Sequence, residues 1–98
     1  MKDLENIRLV IEAYYADELK CLSIGHRIRK REVVTARHMY FYFADALTNS
    51  SLSSIAKHIG DYNHSTVIHG RNNIIALSQF DKTIARQKDE IEKLLTNL

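Results

Sequence analysis

The side chains best suited to chemistry lie in one short stretch, Asn63-His64-Ser65-Thr66, with His69 a few residues later. Their amide, hydroxyl and imidazole groups donate and accept hydrogen bonds while carrying little charge. A serine beside histidines could be a hydrolytic nucleophile, but no glycine elbow surrounds Ser65 and a chain of 98 residues leaves little room for a pocket. His64 and His69 point in different directions on a helix and show no HxxxH spacing. We therefore expect no catalysis, no metal and no cofactor.

A helix must present these groups, and the sequence predicts one over about residues 64–78 with Asn63 as its N-cap. At about 100° per residue its two sides differ in polarity. One side holds Val67, Gly70, Ile74 and Leu77, and the other holds Ser65, His69, Asn72 and Asn73. Short neutral side chains of this kind can pair with base edges in the major groove of DNA. A preceding short helix and a turn at Gly60 complete the pattern of a helix-turn-helix, in which this would be the recognition helix.

The second candidate is the basic segment, residues 26–31, which reads His26-Arg27-Ile28-Arg29-Lys30-Arg31 and has no helical periodicity. Residues 21–78 carry seven basic and three acidic side chains, whereas both ends of the chain are balanced or acidic. This distribution, to which Arg37 also contributes, is typical of a surface that contacts phosphates. A solvated charged loop is the alternative, but the neighbouring helix-turn-helix favours an exposed loop that grips DNA.

The rest of the chain predicts a single domain over residues 1–98, an all-α compact bundle of five to six helices. We expect a first helix over residues 3–15 capped by Asp3, a short helical turn near 17–22, and a central helix from Thr35 to residue 47. A short helix capped by Ser51 or Ser53 should end at a left-handed Gly60, and a last helix should cover residues 81–95. Its neighbour Phe80 and its own Ile84, Ile91, Leu94, Leu95 and Leu98 are predicted to cover the core.

The aromatic run at residues 40–43 invites a stacking platform for single strands, but helical spacing favours core packing. Phe41 and Tyr42 are adjacent, so we expect only one of them to point fully inward. His38 and His58 are expected at the surface or half-buried. The lone Cys21 predicts a reducing compartment, hence the cytoplasm, and no apolar run is long enough for a membrane span or a signal peptide.

The run from Ala36 through Leu47-Thr48 to Gly70 resembles the C-terminal DNA-binding domain of the bacterial replication initiator DnaA. The likeness extends from Ile7 to Leu95, and residues 63–69 match the family signature Asp-His-Ser/Thr-Thr-Val-x-His except at Asn63. The resemblance implies the helical fold that this domain shares with the Trp repressor. It also implies double-stranded DNA as the partner and a location at the nucleoid.

The resemblance also implies roles for individual residues. Bases and phosphates in the major groove would be contacted by His64, Ser65, Thr66 and His69. The arginine at Arg29 would enter the adjacent minor groove, flanked by Arg27, Lys30 and Arg31. The residues beside the DNA backbone would be Arg37, Leu47 and Thr48. Ser53 is a further candidate for DNA contact.

Several positions depart from the family pattern: Asn63 replaces an aspartate, Tyr62 an arginine, Asp61 a glycine, Asp45 a lysine and Ser53 a proline. Two basic phosphate contacts are thereby lost. No Gly-rich Gly-Lys-Ser/Thr motif for an ATPase occurs. We expect binding to a box like that of DnaA without ATPase, as a regulator of replication or transcription, with a replication initiator or other replication protein as a further partner. The alternative is a helical protein-interaction module that has lost its DNA affinity.

Overall fold

A computed structural model describes residues 3–97, which form six helices and no strand. The helices are α1 (Leu4–Tyr14), α2 (Ala16–Leu19), α3 (Arg31–Leu47), α4 (Leu52–His58), α5 (His64–Phe80) and α6 (Lys82–Thr96). The expected all-α bundle is therefore confirmed. None of these helices is long and apolar enough to cross a membrane.

Polar side chains cap four helices where the sequence places them. Asp3 accepts a hydrogen bond from the Asn6 amide at 2.8 Å, and Ser51 accepts one from the Ser54 amide at 3.1 Å. Asn63 and Asp81 do the same for α5 and α6. Each cap satisfies amides that have no partner within the first turn, which fixes the helix starts locally. Ser51, and not Ser53, is thus the cap of α4.

Two local predictions were wrong. The central helix begins at Arg31, four residues before Thr35, because Val33 is fully buried and extends the apolar side of α3 toward the basic segment. Gly60 has a φ of +159°, which is close to extended and not left-handed helical. A left-handed C-cap is found at the end of a different helix, α2, where Lys20 has a φ of 50°.

The core is built around α3, which is buried on almost every side. Its fully or almost fully buried apolar residues are Val33, Ala36, Met39, Tyr40, Phe41, Phe43 and Ala44. Helices α1, α5 and α6 supply half of the remaining buried core residues, and α2, α4 and the connections supply the other half. Of the adjacent pair, Phe41 is buried and Tyr42 only partly so, as expected.

Two residues that were predicted to pack against the core, Phe80 and Leu94, are exposed instead. Phe80 is 85% exposed and Leu94 is 48% exposed, whereas Ile91 and Leu95 are fully buried. Phe80 is the last residue of α5, and Leu94 lies between the inward positions of α6. The prediction for Leu98 falls outside the described residues.

Gly70 allows α5 to lie very close to α3. A Cβ atom at this position would come within 2.8 Å of both His38 Cδ2 and Phe41 Cδ2. Real Cβ contacts are longer than that, so only glycine fits without movement of the two rings. The position of the recognition helix on the core is therefore set by a missing side chain.

Candidate nucleic-acid interface

The helix-turn-helix consists of α4, the connection 59–63 and α5, whose first turn is tightly organised. Asn63 Oδ1 accepts hydrogen bonds from the Thr66 amide at 3.0 Å and from Thr66 Oγ1 at 3.1 Å. The Asn63 side chain thus uses its oxygen for the cap, and the residue is exposed at the helix start. Thr66 must exchange this partner if its hydroxyl is to donate to a phosphate.

The outer side of α5 presents His64, Ser65, His69 and Asn72, all of which are exposed. Ser65 and His69 are one helical turn apart, so they point in the same direction. Asn73 was assigned to this side, and that assignment was wrong. Its Nδ2 lies 3.1 Å from His38 Nδ1, beneath the helix, because Gly70 brings α5 close enough for this contact.

His38 supports the recognition helix from below. It was expected at the surface or half-buried, and that prediction was wrong, because α5 packs over it at Gly70. It is 8% exposed, and its ring lies 5.8 Å from that of His69, edge to face. Burial, followed by the nearby His69 and Arg37, lowers the pKa of His38 to about 4. The imidazole is therefore neutral at pH 7, so its Nδ1 can accept the hydrogen bond from Asn73.

The structure brings part of the basic segment to the turn of the helix-turn-helix. The Arg27 guanidinium lies 4.2 Å from the centre of the Tyr62 ring and donates a hydrogen bond to the Asp61 carbonyl. Arg27 and Arg29 line a shared hollow of about 300 Å³ with Ile28, Arg37 and Tyr62. Two of the predicted arginines thus lie next to the start of the recognition helix, and Lys30 is exposed beyond them.

Arg31 lies elsewhere. It begins α3 and lines a separate cleft between α2, α3 and α6, together with Glu18, Glu32 and Asp81. The surroundings of this side chain are therefore acidic. Its predicted contact with DNA stays a prediction, but the structure does not bring Arg31 into the hollow that Arg27 and Arg29 share.

Arg37 points inward and is only 8% exposed. Its Nε donates to the Ile24 carbonyl at 2.9 Å, and its Nη2 donates to the His26 carbonyl. Burial lowers the pKa of Arg37, although a guanidinium remains charged at pH 7. A place beside the DNA backbone stays a prediction for Arg37, whereas its hydrogen bonds inside the protein hold the chain where the basic segment begins.

The remaining predicted contacts lie near the junction of α3 and α4. Thr48 Oγ1 donates to the Ala44 carbonyl at 2.7 Å, and Leu47 is half-buried beside it. Ser53 is exposed in the first turn of α4. Asp45, which replaces a basic residue of the family pattern, pairs with Arg71 of α5 at 3.1 Å. One positive charge on the recognition helix is thereby neutralised.

Tyr62 was noticed in the sequence only as the loss of an arginine. In the structure it is 8% exposed, and its hydroxyl donates to the Gly25 carbonyl at 3.0 Å. The aromatic residue next to Asn63 could have signalled a buried anchor, but its partner at Gly25 is distant in sequence. Among residues 3–97, no group of three or more histidine, cysteine, aspartate or glutamate side chains is placed to hold a metal.

Residues 4–74 match the family described as the bacterial DnaA protein helix-turn-helix. The chain is also similar to the chromosomal replication initiator protein DnaA of three bacteria. It is 34% identical to that of Flavobacterium psychrophilum over 93 residues, which are 95% of this chain and 19% of the relative. It is 38% identical to that of Bacteroides thetaiotaomicron over 78 residues, 80% of this chain and 17% of the relative. For Chlorobaculum tepidum the identity is 31% over 91 residues, 93% of this chain and 17% of the relative. The chain thus spans less than a fifth of the length of these relatives.

Proposed function

We propose, because this chain belongs to the bacterial DnaA helix-turn-helix family, that it binds double-stranded DNA at a specific box related to that of DnaA. One observation carries the proposal: the exposed polar start of α5 lies next to the hollow that Arg27 and Arg29 share. A groove-reading surface and a phosphate-binding surface are thereby joined across the turn at Asp61 and Tyr62.

The recognition helix would read bases through its first turns. The major groove of B-DNA is about 12 Å wide and admits one α-helix. His64, Ser65 and His69 are exposed and offer hydroxyl and imidazole groups for base edges. Each such contact contributes roughly 1–3 kcal/mol of discrimination against the wrong base.

The basic segment would bind alongside the recognition helix. Arg29 is exposed and is proposed to enter the minor groove, where arginine favours the negative potential of narrow regions. Lys30 is also exposed and would contact phosphates, which gives affinity without base preference.

The proposed action is occupancy of the box without ATP hydrolysis or strand opening. The 98 residues contain no Gly-rich Gly-Lys-Ser/Thr motif for binding nucleotide phosphates. A bound chain would exclude a full-length initiator from a shared box in proportion to its free concentration over its Kd. A regulatory role at such boxes, or at a promoter, follows from this exclusion.

A protein-interaction module without DNA affinity is the second candidate, and the Asp45–Arg71 pair favours it. The pair removes one free positive charge from the recognition helix, and the turn carries the buried Tyr62 where the family has an arginine. Fewer phosphate contacts weaken binding to any duplex.

Selection of duplexes from a random pool, followed by titration of the best duplex at several salt concentrations, decides between the two. We expect enrichment of one box, a steep loss of affinity with salt, and roughly 5- to 150-fold weaker binding for Ser65→Ala or His69→Ala. Gln79→Ala, at the exposed far end of the same helix, is the matched control and should bind normally. Enrichment of no sequence and binding to no duplex would refute the DNA-binding function.

The regulatory part of the proposal needs a separate experiment. The purified chain should displace a full-length DnaA from a shared box, and it should neither hydrolyse ATP nor open the strands. Failure to compete at concentrations that saturate its own best duplex would refute the antagonist role and leave an independent DNA-binding regulator.

A further inference from the structure

Tyr62 lies at the point where the two proposed DNA-contacting parts of the molecule meet. Its hydroxyl donates to the Gly25 carbonyl at 3.0 Å, so the turn of the helix-turn-helix is joined to the chain just before the basic segment. Its ring contacts two cations, with the Arg27 and Arg37 guanidinium carbons 4.2 and 5.2 Å from the ring centre. Such contacts are stabilising because the face of an aromatic ring is negative.

Three consecutive carbonyls at the start of the basic segment, those of residues 24–26, are held by side chains. Those of Ile24 and His26 accept from Arg37, and that of Gly25 accepts from Tyr62. Gly25 also lies directly on the end of α4, since a Cβ there would come within 1.7 Å of the Ile59 carbonyl oxygen. A stretch without helical hydrogen bonds is therefore fixed by its neighbours.

Fixing this stretch has a consequence for binding. A flexible loop loses conformational entropy when it becomes ordered on a ligand, and a loop that is already ordered loses less. Arg29 follows the held carbonyls by three residues. Tyr62 and Arg37 thus restrain the part of the chain from which Arg29 extends.

We propose that Tyr62 is a positioning residue for sequence-specific DNA binding, which holds the basic segment so that Arg29 reaches the minor groove at a fixed distance from the recognition helix. The inference rests on the proposed function. Tyr62 itself need not touch DNA, because it acts through the segment that it holds.

A double-mutant cycle between Tyr62→Leu and Arg29→Ala tests the inference on the best selected duplex. We expect each single change to weaken binding roughly 10-fold, and the double variant to bind within about 2-fold of Arg29→Ala alone, because coupled residues are not additive. A second cycle, between Tyr62→Leu and His69→Ala, is the control. The fold-losses in affinity of these two single variants should multiply in the double variant, because His69 would read the major groove independently of the basic segment.

Tyr62→Phe gives a finer test, and it keeps the inference testable if the Tyr62→Leu variant does not fold. It keeps the ring under both guanidinium groups and removes only the hydrogen bond to Gly25, so we expect a loss of roughly 2- to 5-fold. Amide hydrogen exchange should become faster at residues 24–29 in the free variant, while the melting temperature changes little. Preference for the best over a scrambled duplex should fall in parallel.

Multiplicative losses in the Tyr62 and Arg29 cycle, in a chain that binds its box, would overturn this inference and leave the proposed function intact. Unchanged exchange at residues 24–29 in both Tyr62 variants would overturn it as well. A wild-type chain that binds no duplex at any salt concentration would overturn both proposals together.

Discussion

The close contact between α5 and α3 predicts that Gly70→Ala destabilises the fold, although alanine is the better helix former. A mid-helix alanine gains about 1 kcal/mol over glycine when the site is open to solvent. At Gly70, however, the new methyl would lie 2.8 Å from the rings of His38 and Phe41. Both rings are buried, at 8% and 0% exposure, so neither can swing into solvent.

The two effects can be compared. Overpacking a filled core costs about 1–3 kcal/mol, and here two rings must move, one of which accepts a hydrogen bond from Asn73. We therefore place the cost near the top of that range, which leaves a net loss of roughly 1–2 kcal/mol after the propensity gain. For a domain of this size the melting temperature should fall by about 4–16 °C.

Urea unfolding followed by circular dichroism measures this loss as a lower midpoint with an unchanged slope. Ala76→Gly, at an exposed position of the same helix, is the matched control and should cost about 1 kcal/mol through propensity alone. If Gly70→Ala is as stable as wild type or more so, α5 does not lie on α3 as closely as described. The proposed seating of the recognition helix would then be wrong.

Three further predictions concern the interface and its support. Asn63→Asp keeps the oxygen that caps α5 and replaces the amide donor with an acceptor, so duplex selection should shift the facing base from adenine toward cytosine. An unchanged box would mean that Asn63 is only an N-cap. Asp45→Asn should release Arg71, tighten binding to all duplexes about 2- to 5-fold at low salt and steepen the salt slope by nearly one. An unchanged slope would show that Arg71 reaches no phosphate. Because the folded pKa of His38, about 4, lies below its ordinary 6.5, the unfolded chain takes up this proton first. Stability should therefore fall as the pH drops from about 6.5 to 4, by at most about 3 kcal/mol for this group, and urea unfolding of His38→Gln should show less of that fall.

Local sequence patterns predict the number of helices, most of their starts and the inward side of the recognition helix. Asp3, Ser51 and Asn63 cap helices through amides three residues ahead, so a local pattern contains both partners. The apolar spacing of Val67, Gly70 and Ile74 likewise fixed the inward side of α5. These features depend on contacts within one or two helical turns, so a short stretch of sequence contains both partners of each contact.

Which polar residues turn inward depends on how the helices pack against one another. From the sequence, Arg37 was expected to contact DNA, and Tyr62 was expected to mark a lost contact. In the structure both side chains donate hydrogen bonds to carbonyls of residues 24–26, which are distant from them in sequence. Asn73 was expected on the outer side of α5 but contacts the buried His38, and Phe80 was expected in the core but is exposed to solvent. The physical reason is that a buried polar group needs a partner, and the partner depends on which helices approach each other. For α5 and α3 that approach depends on Gly70, whose space is visible only once both helices are in place.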